Sequence, residues 1–450
     1  MVTREALADD SVSDSILVCL TFRCVGTPAR RAGVPQRFAR PRPEPARVAQ
    51  APEDRPDTRR MMPMIYLDHN ATTPVAAEVL QEMRDVLERV WANPSSAHGP
   101  GQAARRVLAD ARTRIARFLD CGPTELVFTS GATEANHMAV FGARNARRRG
   151  AHCGRRRLVL SAVEHPSMMA LATRVRDSGC PVDLIPVDSE GRLDLRAAHA
   201  LIDTDVALVS VMGANNETGV LMPVPELAEI AHAQGALLHV DATQVVGKSV
   251  QRFADSAADL WSVSAHKFNG PKGVGALVVR KGLDWPGLLA GNQERGRRGG
   301  TENLPGIAGF AAAAEVAALD LAADVERMTA LRERFESGLK RCSAQLNAPL
   351  TIYGCTTQRL PNTSLVRFGE LKAARVLRAL ERAGVIAASG SACCSGRDLP
   401  SHVLLAQGES PQHARCAVRF SLGRHTTSEE IDAALLALQR VLGSLLHMRH

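Results

Sequence analysis

The 450-residue sequence predicts an α/β chain: a mostly parallel β-sheet covered by helices, followed by a smaller α+β domain. Three observations carry this reading. From residue 65 onward, strand-sized apolar runs alternate with helix-length segments. After about residue 320 the alternation gives way to a long helical stretch at 322–339, then to short strands and helices. The first sixty residues share neither pattern.

Taken in order, the first strand-like run is Ile65, Tyr66 and Leu67. Further strands are expected at 126–129, 157–161, 182–186, 206–212, 237–241 and 275–279. Helices fill the gaps between several of them; 224–234, for example, is apolar at 224, 227, 230 and 231, the spacing of one buried helix face. The first sixty residues instead carry prolines at 28, 35, 41, 43, 45, 52 and 56 among many arginines. Such a segment buries too little apolar surface to offset its ordering entropy. It is expected to be disordered, or to derive from a start codon upstream of Met61, Met62 and Met64. Its acidic residues, Asp9, Asp10, Asp14, Glu53, Asp54 and Asp57, argue against a transit peptide.

Composition narrows the function classes. A formal charge of +8 invites nucleic-acid binding, but the basic residues are scattered and aromatics make up only 4%, which removes the stacking platform. No apolar run approaches the ~20 residues of a membrane span, and no signal peptide is recognisable. The ten cysteines form no CxxC pair and no cluster with metal spacing, so no metal site is expected. Reduced thiols in a cytoplasm fit best. Arginines at 147–149 and 155–157 flank a loop that reads as a solvated basic surface, with docking of an acidic partner as the alternative.

Four short segments fall where strands should end, the place at which open α/β sheets present ligands. Ser130-Gly131-Ala132-Thr133-Glu134 would offer helix-start N–H groups to a phosphate, or be a plain helix cap. Asp241, in Val240-Asp241-Ala242-Thr243-Gln244, is a carboxylate closing an apolar strand; it needs a cation such as a protonated ring nitrogen, unless it only caps the next helix. Lys267, in Ser264-Ala265-His266-Lys267, sits among small residues, where a deprotonated amine can act as a nucleophile; a solvated surface lysine is the other reading. His165 follows Glu164 after a strand and suits ring stacking or proton transfer, or a structural hydrogen bond.

Together the ordered motifs SGATE, EH, NNETG, VDATQ, SAHK, ERGRRGGTEN and SGSAC resemble the NifS/IscS family of cysteine desulfurases, which are class-V aminotransferase-like enzymes. YLDHNATTP at 66–74 and NPSSAHGPG at 93–101 belong to the same resemblance, which spans about residues 65–440. It implies the fold of type I pyridoxal-phosphate enzymes. A large cofactor-binding domain with a seven-stranded sheet would span 77–324. A small α+β domain would comprise 61–76 and 325–450 and carry the catalytic cysteine loop.

The resemblance implies pyridoxal 5'-phosphate held by Lys267 as a Schiff base, with Asp241 at the ring nitrogen and His165 stacked on the ring as acid and base. Gln244 and Asn216 would reach the phenolic oxygen, Asn216 also lying close to the substrate. Ala132, Thr133, Ser264 and His266 would hold the phosphate. Thr301 would reach the cofactor phosphate of a partner subunit, implying a homodimer. Arg419 would bind the substrate carboxylate, for which a guanidinium fork is suited.

Cys393 lies in Ala388-Ser389-Gly390-Ser391-Ala392-Cys393-Cys394-Ser395-Gly396, a run of small residues that describes an exposed loop. The resemblance makes it the thiol that takes sulfur from L-cysteine as a persulfide, leaving L-alanine. It would pass that sulfur to a protein acceptor such as an iron–sulfur scaffold, with a transient iron–sulfur contact at Cys393. Cys394 departs from the family pattern and reads as a spectator, a resolving thiol or a second acceptor. The remaining cysteines, at 121, 153, 180, 342, 355 and 416, read as structural. Two alternatives stay open: a selenocysteine lyase, whose motifs overlap at NNETG and Leu360-Pro361-Asn362-Thr363, and a persulfide carrier or assembly scaffold without turnover.

Overall fold

The computed structural model describes residues 64–146, 154–390 and 399–447. All belong to one unit, Met61–His450. The proline-rich tail, the arginines at 147–149, Cys153, and Cys393 with Cys394 lie outside the described residues.

In chain order the strands are β1 (Ile65–Tyr66), β2 (Leu126–Thr129), β3 (Arg157–Ser161), β4 (Val182–Ile185), β5 (Val206–Met212), β6 (Leu237–Asp241), β7 (Leu260–Ser264) and β8 (Gly275–Val279). They continue as β9 (Leu350–Ile352), β10 (Thr363–Phe368), β11 (Val385–Ile386), β12 (Ala388–Ser389) and β13 (Ala417–Ser421). Seven of them form one sheet in the order β2-β8-β7-β6-β5-β3-β4. It is mostly parallel, as expected; β8 alone runs antiparallel to both its neighbours. Helices cover both faces, so the central strands are apolar without alternation; every residue of β5 is buried.

Only the end of β7, at Ser264, was expected from the motif there; its body was not. Its LWSVS pattern interrupts the apolar run with two serines. Ser262 is buried all the same because its hydroxyl meets His239 Nε2 at 2.8 Å. Ser264 ends the strand beside the cavity described below.

One face is covered by helices Ala77–Arg89, Gly99–Leu119 and Leu304–Leu319, which pack on one another. The last is alanine-rich, a composition that favours helix and lets neighbouring helices approach closely. Asn303 caps it by accepting from Gly306 N at 3.2 Å. Trp261, Phe310 and Ile115 are buried in this core. No single helix among the described residues is long and apolar enough to cross a membrane.

A second apolar core gathers Leu67, Phe335, Phe420 and Leu438. It lies beside a four-stranded antiparallel sheet, β12-β13-β10-β9, and a parallel pair, β1-β11. Helices Leu321–Gln345, Ala373–Arg382 and Ser428–His447 pack into it, the first running six residues beyond the expected 322–339 stretch. The Phe335 and Phe420 rings meet edge-on, 4.9 Å between centroids.

Gly275 joins the sheet to the turn after β2. A Cβ there would stand 2.4 Å from the Val263 carbonyl oxygen and 2.7 Å from Gly131 Cα, both backbone atoms that cannot swing aside. Gly275→Ala is therefore expected to lower unfolding free energy by about 2 kcal/mol, the cost of overpacking, read as a reduced midpoint in urea with unchanged slope.

Candidate active site

The carboxyl ends of β5, β6 and β7 converge with the turns after β2 and β3 on a cavity of about 500 Å³. Ser130, Gly131, Ala132 and Thr133 line one side, at the N-terminus of helix Ala132–Ala146. Asp241 and Gln244 come from the end of β6, and Ser264, His266 and Lys267 from the end of β7. His165 and Asn216 complete the wall among the residues named from sequence. Thr301 and Arg419 are not part of this wall, and Cys393 lies outside the described residues.

Both functions proposed for the Ser130–Glu134 turn are compatible, because Glu134 does the capping. Its carboxylate accepts from Ser130 N at 2.7 Å and from Arg298 Nε at 2.9 Å. Burial works against its ionisation, but these bonds hold its pKa below the usual value. The helix N-terminus is thus tied down while the cavity side of the turn stays open to an anion.

Asp241 is buried and aimed by two donors, Asn136 Nδ2 at 2.8 Å and Thr243 N at 3.1 Å. Lys267 Nζ donates to the carbonyl oxygens of Asn70 at 2.6 Å and Ala71 at 2.9 Å. His165 caps helix Pro166–Asp177: its Nδ1 accepts from Ser167 N at 3.2 Å and lies 2.8 Å from Ser167 Oγ. Burial pushes its pKa down and Lys267 adds to this, against Asp241, so the ring is neutral near pH 7. His266 is pushed down to about 4 by burial, then by Lys267 and Lys272; its Nδ1 lies 3.1 Å from Thr72 Oγ1.

Arg419, on β13, is buried rather than a surface ion pair. Its Nη1 donates to the Asn216 carbonyl at 2.9 Å and its Nη2 to Asp68 Oδ1 at 2.7 Å. Its Nε has no partner among the described residues. Thr301 is exposed. Arginines 155 and 157 hold their own surroundings: Arg155 reaches the Val206 carbonyl at 3.0 Å, and Arg157 pairs with Asp183 at 3.1 Å and Asp203 at 2.6 Å. Both are thus engaged within the chain, a role that neither the solvated-surface nor the docking reading named.

Several residues that shape the site carried no assigned role in the sequence. Asn70 is a hub, considered further below. Glu164 is fully buried; Ser161 Oγ and Met212 N both donate to its Oε1, the latter at 2.8 Å. Next to it in sequence is His165, which gives a positional hint but no hint of burial. His239, two residues before Asp241, is buried between Ser210 Oγ and Ser262 Oγ, each 2.8 Å away. Burial drives its pKa down to about 4.

Comparison with known proteins fixes the family. The family described as Aminotransferase class-V matches residues 65–434. The chain belongs to it. A curated cysteine desulfurase of Cereibacter sphaeroides is 44% identical over 387 residues, 85% of this chain and 97% of that protein. One from Rhodobacter capsulatus is 43% identical over 391 residues, with the same coverage. Among solved structures, a NifS-like protein has a TM-score of 0.77 at 34% identity, over 85% of this chain and all of that one (100%). DndA from Streptomyces lividans has a TM-score of 0.66 at 32% identity, over 78% of this chain and 97% of that one. Within the class-V aminotransferases the chain thus groups with the cysteine desulfurases.

The family implies pyridoxal phosphate, and the residues present fit it. An amine, a buried oriented carboxylate and a helix N-terminus flanked by Thr133 and Ser264 hydroxyls meet in one cavity, matching an aldehyde, a ring nitrogen and a phosphate. Two buried atoms of wall residues, Asn136 Oδ1 and Thr243 Oγ1, lack partners among the described residues, as expected where a polar ligand completes the hydrogen bonding.

Glu164 gives a pH test of the site's frame. Burial pushes its carboxyl from 4.5 up to about 8, against the bonds from Ser161 and Met212, with Asp241 adding to the rise. Its folded pKa is raised, so its contribution to stability is complete below pH 4.5 and disappears as pH climbs through about 8. Glu164→Gln keeps the acceptor and removes the proton. Between these limits the variant is expected to gain on wild type by up to about 1.4 kcal/mol per pH unit, measured by urea unfolding from pH 4.5 to 9.

Proposed function

We propose that the chain converts L-cysteine to L-alanine and receives the sulfur as a persulfide on Cys393. The observation that carries this is the meeting of Lys267, Asp241, His165 and Gln244 on one cavity. Bound pyridoxal phosphate supplies the electron sink that stabilises charge at the substrate Cα. Lys267 holds the cofactor covalently through its amine. Asp241 faces the ring nitrogen, its direction set by Asn136 and Thr243 N. Ala132, Thr133, Ser264 and His266 surround the phosphate; the low pKa of His266 keeps that ring a neutral hydrogen-bonding group there.

Neutral His165 would stack on the cofactor ring and take or return a proton; its depressed pKa supports a base at neutral pH. Gln244 and Asn216 face the phenolic oxygen, and Asn216 also borders the substrate. Arg419 holds the substrate carboxylate; its unpartnered Nε and its position behind Asn216 support this role. The balance of the transfer is simple. The C–S bond of L-cysteine breaks, an S–S bond forms to the Cys393 thiolate, and the carbon takes the proton that makes alanine.

Residues 77–324 form the large domain and residues 61–76 with 325–450 the small one, a division supported by the two apolar cores. Thr301 serves the partner subunit of a homodimer, which its exposure allows. The outer sulfur then passes to a protein acceptor, with iron–sulfur assembly in a cytoplasm as the destination. Gln244, Asn216 and Arg419 together favour turnover of an amino-acid substrate over a carrier role.

The protein with added pyridoxal phosphate is expected to show a visible absorbance band and to form alanine from L-cysteine. Lys267→Ala removes both. A wild type with neither band nor alanine contradicts the proposal. Cys393→Ala is expected to abolish persulfide transfer, while Cys394→Ala only lowers it; the reverse pattern would assign the sulfur to Cys394. Equal rates with selenocysteine in wild type and Cys393→Ala, together with no rate on cysteine, would favour the lyase.

A further inference from the structure

Lys248 is a lysine with 4% of its surface exposed, in the turn that follows β6. Its Nζ donates to Gln244 Oε1 at 2.5 Å and to Asn70 Oδ1 at 3.1 Å. Gln244 Nε2 in turn donates to the Asn70 carbonyl oxygen at 3.0 Å, the same oxygen that receives Lys267 Nζ at 2.6 Å. A carbonyl oxygen only accepts, so the bond to Asn70 O fixes which end of the Gln244 amide is the NH₂, and Oε1 is left to accept from Lys248. With Oε1 taken, what Gln244 has left to offer the cavity is N–H.

We propose that Lys248 is a positioning residue for the cofactor: it holds Gln244 as a hydrogen-bond donor toward the cofactor's phenolic oxygen and fixes the side chain of Asn70, the residue whose main-chain carbonyl orients Lys267. This rests on the reading of the cavity as a pyridoxal phosphate site.

The surroundings of Lys248 support it. The charged groups acting on it are Lys267 and Arg419, and it acts in turn on His69 and His266; all four are basic. Arg419 is itself paired with Asp68. Asp324, which borders the small cavity beside Lys248, is held by Arg327 at 3.1 Å and Arg424 at 3.3 Å. Burial therefore drives the Lys248 pKa well down, and the neighbouring cations drive it further. With cations around it and two oxygen acceptors within reach, the residue acts as a hydrogen-bond donor to Gln244 and Asn70 rather than as a counter-ion.

A donor to the phenolic oxygen would make that oxygen less basic, and so would lower the pH midpoint of the visible absorbance of the cofactor-loaded protein. If Gln244 turns its oxygen inward, the effect reverses. The test is a pH titration of the visible absorbance of the cofactor-loaded protein, with cofactor affinity measured by equilibrium dialysis. Lys248→Met removes the donor at nearly equal volume and is expected to raise the spectral midpoint by about one pH unit, the size of one lost hydrogen bond to a charged group. Gln244→Leu leaves Lys248 intact and is expected to raise it likewise; the double variant adds little to either. Should Lys248→Met not fold, Gln244→Leu still decides. An unchanged midpoint in a folded variant of either kind overturns the proposal, as does full additivity in the double variant. A wild type with no visible band overturns both this proposal and the function on which it rests.

Discussion

The site depends on a strap of main chain, residues 68–74, laid between elements that are distant in sequence. Its carbonyls at Asn70 and Ala71 receive Lys267 Nζ. Thr73 bonds the His266 carbonyl through both N, at 3.0 Å, and Oγ1, at 2.8 Å, while Asn269 reaches Pro74 O at 2.9 Å. On its other side Asn70 N donates to Ser421 Oγ at 2.9 Å, and Asn70 Nδ2 to Thr363 Oγ1 at 2.9 Å and Asn216 O at 3.2 Å. Asn362 Nδ2 donates to Asn70 Oδ1 at 3.0 Å. Each such bond contributes only about 1 kcal/mol net. Leaving one of these buried groups unpaired costs more than the bond gains, which makes the arrangement all-or-none. The strap therefore ties the end of β7, with Lys267, to β10 and β13, with Arg419.

The electrostatics follow from that burial. Lys267, Lys272 and Arg419 lie in or behind the cavity wall, so the site is biased toward anionic ligands. Desolvation keeps the cost of this concentration down by discharging the groups that can lose a proton. His69, His239 and His266 are each pushed to about 4, and Lys248 well below its usual value. Buried acids respond in the opposite sense: Glu164 and Glu217 are both raised by burial. Glu217 accepts from Ser401 Oγ at 2.6 Å. A phosphate and a carboxylate thus enter a site whose neutral hydrogen-bonding groups are already oriented, with fixed positive charge held where burial cannot remove it.

The parts legible in the sequence were those in which one segment contains its own signal. Strands buried on both faces are continuous apolar runs, and β2, β3, β5, β6 and β8 begin and end where the pattern does. Asp241 and Lys267 were visible because a charge closing a buried strand needs an explanation. The body of β7 was hidden by Ser262, whose partner His239 lies on a neighbouring strand; only its end at Ser264 was legible. Asn70 and Lys248 gave no local sign of their roles, because their partners are remote; Asn70 and Ser421 are 351 residues apart. Arg419 could be named from its motif, but its pairing with Asp68, equally distant, could not.

The account stands or falls on whether sulfur leaves L-cysteine for a thiol of this chain. The most direct measurement is mass spectrometry of the cofactor-loaded protein after one turnover with L-cysteine, with alkylation of the thiols followed by peptide mapping. One added sulfur atom on the peptide containing Cys393, matched mole for mole by alanine, is the result the account predicts. Alanine formed with the sulfur recovered as elemental sulfur or on free cysteine, and no added sulfur on that peptide, would contradict it.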